Sequence, residues 1–221
     1  MKASKLFHEN KGFLLFLLLM IMFRSAIADW NDVPSGSMRP TIIEGDRIYV
    51  NKLAYDIRVP LTHISLRRLD DPHRGDVVIF DSKAADKRLV KRAIGLPGDV
   101  VQLQDNKLIV NGVPATYTDI EDHGDYVVAT ETLGTMKHRV RLEPYRFNPH
   151  RSFGPLTVPE NSFLMLGDNR DNSADSRSDE RGYIGFVPRN EIVGRSSHVV
   201  ASLNPDHYYI PRADRWWEQL N

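Results

Sequence analysis

The sequence predicts a mostly β protein with one apolar segment at its N-terminus. Two observations predict this class. Beyond residue 40, short runs rich in Val, Ile and Tyr are separated by Gly, Pro, Asp and Asn, as in strands joined by turns. Long helical periodicity is absent apart from the N-terminal run. The predicted strands are Arg47–Val50, Asp76–Asp81, Arg88–Ile94, Asp99–Gln104, Lys107–Val110, Phe163–Leu166, Ile184–Val187 and Ile192–Ser202.

Two short stretches predict tight turns between these strands. Asp105-Asn106 separates two strands by two residues, which is typical of a hairpin. Leu96-Pro97-Gly98-Asp99 carries Pro and Gly at its two central positions, which is typical of a β-turn. The segment 105–160 is more polar and irregular, and we interpret it as a smaller inserted subdomain.

The N-terminal segment predicts a membrane anchor. Residues 13–23 read FLLFLLLMIMF, and a spanning helix needs about 20 residues. The segment 12–30 reaches that length by including Arg24, which lies near the far end and can extend its side chain outward. The basic residues before the run are Lys2, Lys5 and Lys11. They predict that residues 1–11 are cytoplasmic and that the chain crosses the inner (plasma) membrane once, in contact with lipid.

A removable signal peptide is the alternative interpretation of this segment. Ala26-Ile27-Ala28 fits the A-x-A pattern of a cleavage site after a basic and an apolar region. Both interpretations place Ser37 and the rest of the chain outside the cytoplasm.

Composition restricts the classes of function. The 221 residues suffice for one domain with an insertion, and 29 basic against 29 acidic residues give no sign of a nucleic-acid partner. The chain has no cysteine, which excludes disulfides and cysteine-ligated metal sites.

The stretch PSGSMRPT, from Pro34 to Thr41, raises the question of a serine nucleophile. Ser-Gly-Ser is common in loops, and a turn before a strand is the ordinary interpretation. The elbow G-x-S-x-G is not matched, because Met38 and Arg39 follow Ser37. No histidine follows Ser37 within twenty residues, and most later histidines stand in polar loops. A Ser–His–Asp triad remains formally possible, because triads are defined by geometry.

The stretch LVKRAIGLPGD contains a lysine that could replace the histidine. In the alternating pattern, Lys91 shares its face of the strand with small and apolar residues, namely Leu89, Ala93 and Gly95. One interpretation is a surface side chain. The other is a desolvated amine, whose pKa falls on burial so that it can act as a base. Ser–Lys pairs are a known variant of nucleophile and base.

The stretch FLMLGDNRDNSADSR runs from a strand into a polar loop, and a calcium site is one interpretation of it. A calcium loop that starts at Asp171 would place Ser176 where Gly is required and Gly182 where Glu is required. The calcium interpretation therefore fails, and a loop that positions a base by hydrogen bonds is favoured.

Four segments together resemble the type I signal peptidases, the membrane-anchored Ser–Lys proteases of bacteria. They match the family's blocks in the family's order and cover about residues 12–110 and 160–202. The segments are PSGSMRPTIIEGDRIYVNK, RGDVVIF, LVKRAIGLPGD, and GDNRDNSADSR followed by GFVP.

The resemblance implies a role for each matching residue. Ser37 resembles the nucleophile and Lys91 its general base, acting as a neutral amine. Ser35 resembles the hydroxyl that joins the Ser37 backbone N–H in the oxyanion hole. Ser173 resembles the serine that orients the lysine by a hydrogen bond. The supporting residues are Asp175 and Arg177, which hold that loop, and Met38, which packs beside the nucleophile. No cofactor and no metal are implied.

The resemblance also implies the architecture and the activity. We expect a mostly antiparallel β catalytic core formed by residues 31–104 and 161–221, with residues 105–160 inserted. The expected activity is removal of signal peptides from exported preproteins, by cleavage after small residues in an A-x-A pattern. The longer join SDERGYI after Arg177 and the short insertion leave open a relative dedicated to one secretion or conjugation system. A noncatalytic anchored β-protein that binds extracellular ligands is the alternative from a different class.

Overall fold

The computed structural model describes residues 10–62, 64–177 and 184–220. These residues form one α-helix, α1 (Lys11–Ala26), and eighteen strands. In chain order the strands are β1 (Ala28–Asp32), β2 (Asp46–Asn51), β3 (Asp56–Arg58), β4 (Ser65–Arg68), β5 (Val77–Ser82), β6 (Lys87–Gly95), β7 (Val100–Gln104), β8 (Lys107–Val110), β9 (Val113–Pro114), β10 (Thr116–Asp122), β11 (Val127–Leu133), β12 (Met136–Leu142), β13 (Phe153–Thr157), β14 (Ser162–Leu166), β15 (Val187–Pro188), β16 (Ile192–Ser196), β17 (Val199–Asn204) and β18 (Ile210–Pro211).

The strands within the described ranges pair into four antiparallel sheets, which confirms the prediction of a mostly antiparallel β fold. The largest has nine strands in the order β15-β14-β6-β5-β16-β2-β17-β18, with β1 also paired to β2. The other sheets are β10-β11-β12, β13-β7-β8-β9 and β3-β4.

Both predicted turns are confirmed. Asp105 and Asn106 have φ values of 47° and 62°, and they join β7 to β8 as a two-residue hairpin. The Asp99 N–H donates to the Leu96 carbonyl at 2.9 Å, with Gly98 at a φ of 86°. Glycine adopts that positive φ without strain.

Two strand predictions are wrong in their extent. The predicted strand Ile192–Ser202 is two strands on opposite sides of β2, because β16 lies between β5 and β2 whereas β17 pairs with the other edge of β2. The break falls at Ser197 and His198, and an unbroken β pattern in the sequence cannot reveal it. The predicted strand Ile184–Val187 is reduced to the pair Val187–Pro188.

The segment 105–160 is more regular than predicted, because it contains β8 to β13. Its strand β10 is largely solvent-exposed and reads TYTDIED, so it lacks the alternation of apolar residues that marks a half-buried strand. Leu133 and Met136 from this segment pack in one apolar cluster with Ile94 of β6 and Leu164 of β14. Residues 105–160 therefore share a core with the strands before and after them.

The apolar N-terminal run forms α1, and the prediction for residues 12–30 is wrong at its C-terminal end. The helix has 16 residues and ends at Ala26. Ala28 is already paired with Asn51, so residues 28–30 belong to the sheet. Within the described ranges, no helix combines the length and apolar character that a membrane crossing requires.

Candidate active site

Ser37 lies in a tight turn between β1 and β2. Residues Gly36–Met38 form one turn of 3₁₀-helix, and Met38 is only 1% exposed. Its side chain belongs to an apolar cluster with Ile42 and Ile48. Burial of Met38 therefore fixes the turn to the core and leaves the adjacent serine at the surface of a cleft.

Lys91 reaches Ser37 from strand β6. Its Nζ lies 2.7 Å from Ser37 Oγ, although 54 positions separate the two residues in the chain. The amine also lies 3.1 Å from the Val90 carbonyl oxygen. Lys91 is 2% exposed, which excludes the interpretation as a surface side chain.

Burial changes the acid–base chemistry of Lys91. Desolvation lowers the pKa of the amine from 10.5 to about 8, and the positive charges of Lys87 and Arg177 act in the same direction. The carboxylates of Asp175 and Asp168 oppose the shift. Near neutral pH the neutral fraction of Lys91 is therefore much larger than that of an ordinary lysine, and a neutral amine can accept the Ser37 hydroxyl proton.

The loop after β14 packs directly against the turn Gly36–Met38. The Asn169 N–H donates to the Ser37 carbonyl at 3.1 Å, and Asn169 Nδ2 donates to the Gly36 carbonyl at 2.9 Å. A Cβ atom at Gly167 would lie 2.5 Å from the Ser37 carbonyl oxygen and would also overlap Ser173. The loops can approach this closely because residue 167 has no side chain.

The predicted supporting residues lie in this loop. Asp175 and Arg177 form a fully buried ion pair, with Arg177 Nε 2.7 Å from Asp175 Oδ1. Asp175 Oδ2 accepts the Gly167 N–H at 3.0 Å, and Arg177 Nη2 donates to the Ser173 carbonyl at 2.9 Å. The pair therefore connects the backbone of residues 167 and 173, at the place where Gly167 lies close to both Ser173 and the Ser37 carbonyl.

The structure does not form the expected hydrogen bond between Ser173 and Lys91. Ser173 Oγ is buried and has no hydrogen-bond partner among the described residues. Ser35 is exposed, immediately precedes the turn Gly36–Met38, and lines the same cleft as Ser37 and Lys91. The long join after Arg177 falls mostly on residues 178–183, outside the described residues.

Sequence reasoning missed a second buried pair beside the site. Arg92 Nε and Nη2 donate to the Asp168 carboxylate at 2.9 and 2.7 Å. Thr41 also donates to this carboxylate, at 2.5 Å. Alternation along β6 places Arg92 on the face opposite Lys91, together with Val90 and Ile94. A charged residue on that apolar face was the sequence signal for a buried pair.

His138 is an exception to the description of the later histidines as residues of polar loops. It is buried, with Nε2 3.5 Å from Glu131 Oε1 and 3.6 Å from Asp168 Oδ1. Burial, reinforced by the charge of Arg92, lowers its pKa to about 4, so the ring is neutral at neutral pH. Its contacts with the two carboxylates are therefore not ion pairs under those conditions.

Asp171, in the loop after β14, is hydrogen-bonded to other groups of the chain. The Asp171 carboxylate accepts bonds from Asn106, Asn148, Arg151 and the Glu143 N–H. In the described part of the chain, no group of three or more His, Cys, Asp or Glu residues has the arrangement of a metal site.

A cleft of about 390 Å³ opens over Ser37 and Lys91. Strand β1 and the chain leading from it to Ser37 form one wall, and the N-terminal half of β6 forms the other. A serine hydroxyl that is hydrogen-bonded to a buried lysine amine, in a cleft between two β-strands, is characteristic of Ser–Lys hydrolases as a class.

Comparison with known proteins places the chain within one family. The chain belongs to the signal peptidase family, peptidase S26, whose family model matches residues 8–201. A signal peptidase I from Pseudomonas aeruginosa is 36% identical over 228 residues, covering 97% of this chain and 79% of the relative. A signal peptidase I from Pseudomonas fluorescens is 35% identical, with coverage of 97% and 79%. A crystal structure of a signal peptidase I from Enterococcus faecalis V583 is 29% identical, covers 57% of this chain and 97% of that chain, and has a TM-score of 0.37.

Proposed function

We propose that this peptidase is a membrane-anchored serine endopeptidase that removes N-terminal signal peptides from exported preproteins by means of a Ser37–Lys91 dyad. The observation that carries the proposal is the 2.7 Å contact between Ser37 Oγ and the buried Lys91 Nζ. A buried amine with a pKa near 8 supplies a base without a histidine.

The reaction proceeds in two steps at this pair. Neutral Lys91 Nζ takes the hydroxyl proton as Ser37 Oγ attacks the scissile carbonyl, and the protonated amine then gives that proton to the leaving amino group. Water attacks the resulting Ser37 ester, with Lys91 again as base. The acyl group leaves as the new C-terminal carboxylate of the signal peptide, and Ser37 is regenerated.

Ser35 and the Ser37 backbone N–H serve as donors to the oxyanion. This assignment rests on the family resemblance and on the position of Ser35 in the cleft beside Ser37. Loss of one such donor typically costs about 2.7–4 kcal/mol of transition-state stabilisation.

An extended substrate binds between two strand edges that border the cleft. Strand β6 pairs with β5 over Lys87–Arg92, but β14 covers its other edge only from Arg92 onward. Among the described strands, β1 pairs with β2 alone. Backbone N–H and C=O groups on the uncovered edge of Lys87–Leu89 and on β1 can therefore add a substrate strand by backbone hydrogen bonds.

The preference for small residues follows from the filled floor of the cleft. Val33 and Met38 line it and are both packed into the apolar core with Val90 alongside. Little depth is left for a bulky side chain, whereas alanine needs none. Cleavage after an A-x-A sequence is the specificity that this shape supports.

Anchoring at the membrane is supported by the exposed apolar residues of α1, from Phe13 to Phe23, and by a neighbouring hairpin. Leu61, Ile64 and Leu66 of the β3–β4 hairpin are exposed, and the Leu61 N–H donates to Ser25 Oγ at the end of α1. Ser37 follows Ala26 by eleven residues, so it lies within about 40 Å of the helix end. The N-terminus is then cytoplasmic, and the catalytic domain lies outside the inner membrane.

The decisive experiment measures cleavage of a preprotein with an A-x-A site by the wild type, Ser37→Ala and Lys91→Met. Both variants should lose processing, and N-terminal sequencing of the wild-type product should show a cut after the second alanine. Processing by Ser37→Ala at the wild-type rate contradicts the proposal.

Topology is testable separately because the chain has no cysteine. A single cysteine introduced at the exposed Asp206 should react with a membrane-impermeant maleimide added to spheroplasts. Labelling that requires lysis contradicts an external catalytic domain.

A further inference from the structure

A second groove, of about 370 Å³, begins two residues after Ser37. One wall is the segment that follows the turn Gly36–Met38, and the other is the outer face of the sheet β10-β11-β12. We call it the Arg139 groove, and the residues that line it include Arg39, Pro40, Ile43, Val128, Arg139 and Arg141. Because two residues span at most about 7 Å, Arg39 lies close to the nucleophile.

Backbone hydrogen bonds fix the sheet wall of the Arg139 groove to the catalytic turn. The Arg141 N–H of β12 donates to the Asp168 carbonyl at 2.8 Å. The N–H of the next residue, Asn169, donates to the Ser37 carbonyl at 3.1 Å. Two consecutive residues of the loop after β14 therefore connect the groove to Ser37, so the two keep a fixed relative position.

Cations outnumber carboxylates among the residues that line the groove. The arginines are Arg39, Arg139 and Arg141. Two of them, Arg139 and Arg141, alternate along β12 and so share one face of the sheet. The carboxylate is Glu121, which pairs with Arg139 at 2.7 Å. The partners of the other two arginines, Glu44 and Glu143, lie outside the lining, so the groove itself presents positive charge.

Apolar surface separates these charges. Pro40, Ile43 and Val128 line the groove together with Tyr126. The Arg141 guanidinium lies 3.8 Å from the centre of the Tyr126 ring, and its buried Nε has no hydrogen-bond partner among the described residues. Spaced cations over an apolar surface suit an extended polypeptide with acidic and apolar side chains, which can satisfy both kinds of contact.

The position of the groove indicates which polypeptide segment it meets. The part of the substrate before the cut occupies the cleft between β1 and β6, as proposed above. That cleft and the Arg139 groove share no lining residue, and the chain passes from one to the other between Met38 and Arg39. The part after the cut has to leave Ser37 by another route. An extended chain advances about 3.3 Å per residue, so it reaches Arg39 within a few residues of the cut.

We propose that the Arg139 groove binds the segment of the preprotein that directly follows the cut bond, with a preference for acidic and apolar side chains. The inference rests on the proposed function, because it concerns the same substrate on the other side of the cut. It gives the inserted sheet β10-β11-β12 a role in substrate affinity. Arg139 and Arg141 are binding residues here, and the chemistry stays with Ser37 and Lys91.

The test compares two substrates that share one signal peptide with an A-x-A site. The short substrate ends two residues after the cut, whereas the long substrate continues with an extended segment that contains several Asp and Glu residues. Full-length wild type, Arg139→Glu and Arg139→Met are assayed in detergent micelles. For Arg139→Glu we expect KM of the long substrate to rise roughly fivefold to tenfold with little change in kcat. Arg139→Met should give a smaller rise, and KM of the short substrate should change far less for both variants.

A charge exchange and a matched variant define the cause. When Lys replaces the acidic residues of the long substrate, KM of the wild type should rise, and Arg139→Glu should bind this substrate better than the wild type does. Arg68→Glu is the matched control, because Arg68 is 53% exposed in a surface ion pair outside the groove and Arg139 is 49% exposed in another. It should leave KM of both substrates at the wild-type values.

The outcomes separate this inference from the proposed function. If the wild type cuts both substrates after the A-x-A sequence and Arg139→Glu has the wild-type KM for the long one, the groove proposal is overturned and the proposed function stands. An equal loss with both substrates also overturns it, since Arg139 would then act on the catalytic turn. So does unchanged KM together with weaker binding of Arg139→Glu to phosphatidylglycerol vesicles, which would assign the groove to lipid. If the wild type cuts neither substrate, the proposed function itself fails.

Discussion

Lys91 is as buried as the apolar residues around it, and that burial has both a chemical effect and a cost to folding. Desolvation favours the neutral amine, which is the form that can accept a proton from Ser37. The same desolvation disfavours the folded state when the unfolded chain holds a solvated, charged lysine. Between pH 8 and 10.5 the unfolded state binds more protons than the folded state, so stability rises with pH in that window.

Lys91→Arg should be nearly as inactive as Lys91→Ala. A guanidinium does not lose its proton in proteins, so the variant keeps the charge but has no base. We expect a loss of about 10²–10⁴-fold in the rate of preprotein cleavage for each variant. The measurement is single-turnover cleavage with matched Tm values, and near-normal activity in Lys91→Arg would remove Lys91 from the role of base.

The pH dependence of cleavage should report the buried amine. Activity should rise with pH through a midpoint near 8, because the neutral form of Lys91 is the active one. The measurement is kcat/KM of a short peptide substrate from pH 6 to 10. A midpoint near 10.5, the ordinary value for lysine, would contradict the assignment.

Ser173→Ala should slow cleavage without lowering Tm. The hydroxyl is buried and has no partner among the described residues, so its removal costs no hydrogen bond of the folded state. A buried hydroxyl without a partner is unusual, and the proposed orientation of Lys91 during catalysis would account for it. Measured kcat and Tm together decide: unchanged kcat would show that Ser173 has no part in positioning the lysine.

At the scale of elements, the site is formed by strand β6 and by two loops that come into contact at Gly167. The turn at Ser37, the loop after β14 and strand β6 are far apart in sequence, and Gly167 lets the two loops come into contact. Hydrogen bonds from Asn169 to Gly36 and Ser37 then fix their relative position. The catalytic geometry therefore depends on backbone contact between elements as well as on the two reactive side chains.

Gly167→Ala should reduce both activity and stability. The added methyl would lie 2.5 Å from the Ser37 carbonyl oxygen, which is backbone and cannot rotate away. Overpacking of this kind costs about 1–3 kcal/mol. Gly12→Ala is the matched control, since nothing lies within 4 Å of its Cβ position. The prediction fails if Gly167→Ala retains the kcat and Tm of the control.

Local sequence signals were sufficient to predict several elements, whereas Ser37 and Lys91 were assigned their roles by the family resemblance. The hairpin at Asp105-Asn106 and the strand Lys107–Val110 follow from turn chemistry and alternation. The alternating pattern around Lys91 left a surface side chain and a buried amine both open, and the structure shows the buried one. The missing bond of Ser173 and the role of Gly167 depend on contacts between distant segments, and no local pattern encodes those.

At the scale of the whole molecule, buried charges connect the three-stranded sheet to the core that holds the site. Arg170, just after β14, forms a fully buried pair with Glu131 of β11, with Nη2 2.6 Å from Oε1. Asp168, two residues earlier, pairs with Arg92 of β6. Neutral His138 of β12 lies between the two carboxylates. The inserted strands thus contact the same loop that supports Ser37.

Arg170→Met should destabilise the protein strongly, and a second substitution should recover much of the loss. Removal of the guanidinium leaves the Glu131 carboxylate buried without its cation, which typically costs about 3–5 kcal/mol. Arg170→Met/Glu131→Leu removes both charges and fills the space with apolar atoms, so it should be substantially more stable than the single variant. Denaturant unfolding in detergent measures both differences, and Arg139→Met, at a surface pair with Glu121, is the control.

If the Arg170–Glu131 pair only fixes the sheet to the core, the double variant should also recover cleavage activity. A double variant as unstable as Arg170→Met would contradict the explanation by an unpaired buried charge. The loss would then come from another contact of Glu131, such as the hydrogen bond from Tyr117, which leucine cannot accept.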